Sequence, residues 1–408
     1  MATPQIMRQV LLNATRTHTV PQVRMGNGTI VHDSTCIMDE VVKSVPSCAI
    51  VEPDTVRQRI ACQILELIGD EWLLVPAYHW RWAYSGNGTS TQQMPMVKPD
   101  TSRYKDLLRE HRKYNCLQWG YFLSPQKSTK EQEQIGTFLI DNLMLNGNIA
   151  IKQCMRDLGV TDVSVSAWES SCRRFLSKFD EHLELIPYIL GSKPSTADFA
   201  LLGPIYAHLS CDPYPSKYMM KEDYPNVFNW AQRLHDKGGG RPAVRGRWMR
   251  NDSVPSTVLP LLRIFFEEMW PVLRSTCKVL TRYIQEEMPN KLPGGSFSSG
   301  CMDQEPGGPL THTFTLPFDR EGRYVGDTAR SIKETRMVLP YQIWLLQRLE
   351  KTIRQSEKHA IRGFLSSIDG LELLDLTSIL RKCRVKKING EIFVDYESMK
   401  RKAVSFTA

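Results

Sequence analysis

Two short pairs near the start of the 408-residue chain could do binding chemistry. Asp33 and Ser34 stand just before Ile37, Met38, Val41, Val42 and Val45, which recur with helical spacing until Pro46 stops the pattern. The first N–H groups of such a helix are unpaired and lie at the positive end of its dipole, so they favour an anion such as a ligand carboxylate. A carboxylate and a hydroxyl side by side can grip both halves of an α-amino acid group. The same pair also serves as an ordinary N-cap, and the two uses are compatible. Upstream, Val20-Pro21 lies at the entry of a two-stranded ribbon. A cis bond there would turn the chain sharply and aim the Val20 backbone outward as a hydrogen-bonding surface; a trans proline would simply start a strand. Cys36 falls in the first turn of the helix, where a thiol's pKa can drop, although a buried filler is the commoner use.

The elements that must hold these residues are short. Residues 4–16 suit a helix, Val20 to Met25 a strand, Gly26-Asn27-Gly28 a turn and Thr29 to Val31 a return strand. Residues 1–50 therefore read as a helix-strand-strand-helix fragment, too small to bury much core alone. From Thr55 the chain turns helical, with Ile60, Ile64, Leu65, Leu67 and Ile68 as an apolar stripe. Further helices are expected around 101–120, 130–158, 166–186, from Ser195 onward, near 225–236, over 256–288, in YQIWLLQRLEKTIRQ, and around 358–382. KGGGR at 237–241 breaks the pattern, a Gly/Pro/Ser-rich loop covers 289–310, and HTFTLPF reads as short extended pieces.

Other features carry less chemistry. Ser195-Thr196-Ala197-Asp198 is an S-x-x-D capping box before an apolar run, a structural device. The aromatic group Trp72, Tyr78, His79, Trp80, Trp82 and Tyr84 could line a cleft for an apolar ligand, but burial against a neighbouring helix is the expected role. Ten dispersed cysteines, with no C-x-x-C and no zinc spacing, suit a reducing compartment and point to no metal site. The net charge of +8 comes partly from RKCRVKK at 381–387 and MKRK at 399–402, expected to form a solvated tail. No nucleic-acid motif accompanies it, no apolar run reaches the roughly 18 residues of a membrane span, and no secretion signal is evident.

Taken together, these residues resemble the glutathione transferase superfamily. Val20-Pro21 is similar to the family's cis-proline turn, whose preceding backbone pairs with the cysteinyl part of glutathione, and Asp33-Ser34 to its acidic-serine pair, which holds the γ-glutamyl group. PSTADFALLGPIYAHL is similar to the family's buried central helix with its capping box, and DYPNVFNWAQRL, with Pro225 and Trp230, to its closing helix. The resemblance covers roughly residues 1–236 and implies a mainly α chain with a small α/β part: a truncated thioredoxin-like unit over 1–50, a helical domain over 51–236, and a helical extension over 237–408. In the family a strand, a helix and another strand precede the segment seen here and carry the catalytic Tyr, Ser or Cys; this chain begins too late to hold that unit. Glutathione as co-substrate, a small electrophile, a homodimer and a cytoplasmic location are what the resemblance implies. The expected function is glutathione binding with weak conjugation, or else a non-catalytic interaction protein built on the same fold.

Overall fold

The computed structural model describes residues 21–44, 51–85, 101–145, 151–235, 246–292 and 310–404. The expected helix over 4–16, Val20 and nearly all of the 289–310 loop lie outside these residues. A small antiparallel ribbon opens the described chain: β1 (Gln22–Arg24) pairs with β2 (Ile30–His32), Val23 opposite Val31. Its turn closes through Gly28 N–H to the Met25 carbonyl at 2.9 Å, with Gly28 at φ +85°, a value only glycine reaches without strain. Helix α1 (Ser34–Ser44) follows, where the apolar spacing placed it.

The apolar stripe of α2 (Val56–Ile68) is fully buried, and a wide turn over Gly69–Leu73 carries the chain on into α3 (Leu74–Ala83). The aromatic group of that segment is core, as expected: Trp80, Tyr84, Tyr214 and Tyr218 stack in series, with Tyr84 and Tyr214 centred 4.3 Å apart. Next come α4 (Thr101–Leu123) and α5 (Thr129–Phe138), an antiparallel pair that touches backbone to backbone at Gly120 and Gly136. Over the helix expected around 130–158, α5 runs on as a wider helical coil through Leu145, residues 146–150 lie outside those described, and α6 (Ile151–Asp157) follows. Then follow α7 (Val165–Leu185), α8 (Thr196–Pro204) and α9 (Pro225–His235).

Beyond the break, α10 (Leu259–Ile264) and α11 (Trp270–Glu287) lead to a hairpin of β3 (Thr311–Leu316) and β4 (Ile332–Met337). Helix α12 (Pro340–Arg354) packs along α2, so the C-terminal part shares the core of the helical domain. After α13 (Lys358–Ser367) and α14 (Leu376–Leu380) comes a second hairpin, β5 (Val385–Ile388) and β6 (Glu391–Val394), and finally α15 (Tyr396–Val404). The chain is thus mainly α with small antiparallel strand pairs.

The solvated tail expected over 381–387 is overturned. Cys383 and Val385 are buried, and the Arg384 guanidinium makes a buried fork with Glu350 at 2.5 and 2.6 Å. Cations enter a core when each finds a carboxylate or an aromatic face, and here both are supplied. Among the described residues, no helix is long and apolar enough to cross a membrane.

Candidate functional site

Asp33 sits between β2 and α1 with φ +76°, a left-handed value that aspartate tolerates better than most residues. Its N–H donates to the Pro21 carbonyl at 3.2 Å, and its Oδ1 accepts from the Cys36 N–H at 3.2 Å. Asp33 is therefore the N-cap of α1, the ordinary use that the pair allowed. Ser34, the first residue of α1, is exposed, as is Pro21. The Val20 backbone and its bond to Pro21 lie outside the described residues.

Pro21 and Ser34 line one cavity of about 230 Å³, enclosed by α1, α2 and α8. Val23, Met38, Val42 and Phe199 form its apolar walls, and Arg59, Gln63, Glu66 and Asp70 its polar ones. The Thr35 hydroxyl lies 2.9 Å from Glu66 Oε1 and 3.3 Å from Asp70 Oδ2. Burial pushes both carboxyl groups up; for Asp70, further raised by the Glu66 and Asp33 charges, the rise is large. Arg348 of α12 reaches the same wall and grips Asp39 through two nitrogens at 2.5 and 2.9 Å.

The two residues singled out for binding are not equivalent. Ser34 faces the cavity, but the second oxygen of Asp33 is already engaged. It accepts from the Tyr341 hydroxyl at 2.9 Å and pairs with Lys387 Nζ at 3.1 Å. The Lys387 side chain is 7% exposed, with its ammonium 4.8 Å from the Tyr341 ring and 4.6 Å from that of Trp344. It also lies 3.5 Å from Cys36 Sγ. Burial nevertheless pushes the Cys36 thiol up, with the Lys387 charge opposing, so it is no ready thiolate. Burial and the same ammonium lower His32, whose ring meets the β5–β6 turn at Gly390.

Tyr341, Arg348 and Lys387 were not found from sequence. One signal was present: Ile388-Asn389-Gly390-Glu391 is an N-G hairpin turn, with Asn389 at φ +50° and Gly390 at +85°. Read as a hairpin, it would have placed Lys387 on a fixed strand instead of in a charged tail. Among the described residues no group of His, Cys, Asp and Glu is arranged to hold a metal ion.

Across the cavity, α8 is pinned by the predicted capping box. Asp198, fully buried, accepts from the Ser195 N–H and Oγ, both at 2.8 Å, and from the Ile189 N–H at 3.1 Å. Its fourth donor is Trp230 Nε1 of α9, also at 3.1 Å, so the capping box and the tryptophan of the closing helix form one cluster. Residues 168–236, which contain this cluster, match a family model: the glutathione S-transferase, C-terminal domain. No curated protein and no solved structure matches the chain significantly. These residues thus carry a glutathione S-transferase C-terminal domain, the helical domain of the glutathione transferase superfamily.

Proposed function

We propose that the chain binds glutathione in the cavity at Ser34. One observation carries this reading: Pro21 and Ser34, two of the residues expected to bind glutathione, line one cavity with Thr196, Phe199 and Ala200 of α8, inside the family-matched span. The Ser34 hydroxyl and the first N–H groups of α1 suit the γ-glutamyl carboxylate, whereas Asp33, expected to hold the ammonium, does not line the cavity. The apolar walls suit the rest of the tripeptide or a small electrophile.

Affinity should be low, in the millimolar range or about −4 kcal/mol, because Asp33 is shared with Tyr341 and Lys387. Conjugation should be slow, since burial pushes up the thiol that lines the cavity, Cys62, to about 12, and also that of nearby Cys36, so neither offers activation. Calorimetry with glutathione on the full chain tests the reading, followed by conjugation of an aryl halide. Ser34→Ala should weaken binding about fivefold, the net worth of one hydrogen bond. No heat at ten millimolar would favour a second reading, an interaction protein without ligand chemistry. The engaged Asp33 carboxylate is the observation that supports it.

A further inference from the structure

We infer that a second cavity, where the end of α12 meets the start of α13 and the segment around α14, is a binding site for a small organic phosphate. It measures about 350 Å³, at the low end of the ~300–1,000 Å³ usual for small-molecule sites. It shares no lining residue with the cavity at Ser34, so the inference stands apart from the glutathione reading. Three segments bring one cation each to its wall: Arg354 from the last turn of α12, Lys358 from the first turn of α13, and Arg381 just past α14. All three are exposed, and no carboxylate among the described residues pairs with them. Arg348 and Arg384 differ in this respect, since each is forked onto a carboxylate, Asp39 or Glu350.

Charge selects the ligand class. Glu350 also lines the cavity, but Arg384 holds both its oxygens and balances its charge. Asp375 is the other carboxylate of the wall, so three cations face one free negative charge and a surplus of two positive charges remains. Like charges on one wall repel, and an anion that enters relieves them. A phosphate monoester carries about −1.5 to −2 near pH 7 and matches that surplus; a single carboxylate does not. The two guanidinium groups offer forked N–H donors suited to phosphate oxygens, and the Thr377 and Ser378 hydroxyls add further donors. Ile353, Leu373 and Leu376 give the cavity an apolar side. Inorganic phosphate would leave that side without a partner, so the ligand is a phosphate ester with an apolar body.

Phenyl phosphate is the probe. Calorimetry on the full chain at low salt should show saturable binding that weakens as salt rises, with inorganic phosphate bound about tenfold more weakly. Arg354→Gln and Arg381→Gln, both at exposed positions, should each weaken phenyl phosphate about tenfold, the weight of one charge-assisted bond. Lys382→Gln removes the same charge one position on, outside the wall, and should change affinity by less than about twofold. Equal losses in all three variants would mean diffuse attraction and overturn the site. Inorganic phosphate bound as tightly as phenyl phosphate would overturn the organic ligand. No heat with phenyl phosphate at about ten millimolar overturns the inference outright, and sedimentation of the chain with anionic lipid vesicles in that case would assign the three cations to a membrane surface instead.

Discussion

Replacing Asp198 by alanine would orphan three donors that cannot move: the backbone N–H groups of Ser195 and Ile189 and the indole N–H of Trp230. The fourth, Ser195 Oγ, can rotate to another acceptor. An unpaired buried donor costs about 1–3 kcal/mol, so three bring about 3–9 kcal/mol. Two effects pull toward the low end: the variant no longer desolvates a carboxylate, and water can enter the space left behind. The expected loss is therefore about 3–4 kcal/mol, a large part of a domain's usual 5–15 kcal/mol. Asp198→Asn separates the terms. It keeps the shape and one accepting oxygen, but turns an amide toward two of the donors, and should cost about 2 kcal/mol. Urea unfolding followed by circular dichroism, at one pH and with the slope checked for two-state behaviour, measures both. A loss below about 1 kcal/mol for Asp198→Ala would refute the claim that this carboxylate joins α8 to α9, as would equal losses for the two variants.

Three further outcomes are expected. His182 is buried, with Nε2 donating to the Tyr188 carbonyl at 3.1 Å and Nδ1 accepting from Thr257 at 2.7 Å, and burial lowers its pKa to about 4. Its contribution is complete above the unfolded value near 6.5 and is lost as pH falls toward 4, about 3 kcal/mol that a His182→Asn variant should not lose in urea titrations over that window. A Cβ at Gly136 would lie 1.7 Å from the Cys116 carbonyl oxygen, so Gly136→Ala must part α4 from α5 and should lower the melting temperature by several degrees in calorimetry. Arg384→Met should remove the cation forked onto the buried Glu350 carboxylate and cost about 3 kcal/mol, visible as a lower urea midpoint.

The helices were legible because each carries an apolar stripe that one side of a core needs, as Ile60, Ile64 and Leu65 illustrate. The Ser195–Asp198 box was legible because capping is local chemistry, complete within four residues. That Trp230 completes it was not legible, since the bond spans 32 positions and no periodicity records it. The density of aromatics in 72–84 could not by itself separate a cleft from a core; what decides is the stack with Tyr214 and Tyr218, residues of a distant segment. Half the candidate site was readable, the half on α1. Its other half was hidden because a run of lysines and arginines looks the same whether water or a carboxylate and two rings receive it.

The groups that hold the first described segment are the last to be made. Asp33 meets Tyr341 across 308 positions, Asp39 meets Arg348 across 309, and Cys36 meets Lys387 across 351. At about 5–20 residues per second, a ribosome needs roughly 15–70 s to supply those partners after residues 33–39 have been made. During that interval the ribbon and α1 have only a short stretch of neighbours, while α2, α7 and α8 can already associate. The cavity at Ser34 is then a late product of synthesis, its wall completed only after Arg348 leaves the exit tunnel. A stalled or prematurely stopped chain would display a folded helical body with its binding end unfinished, an object for chaperones and proteases to find.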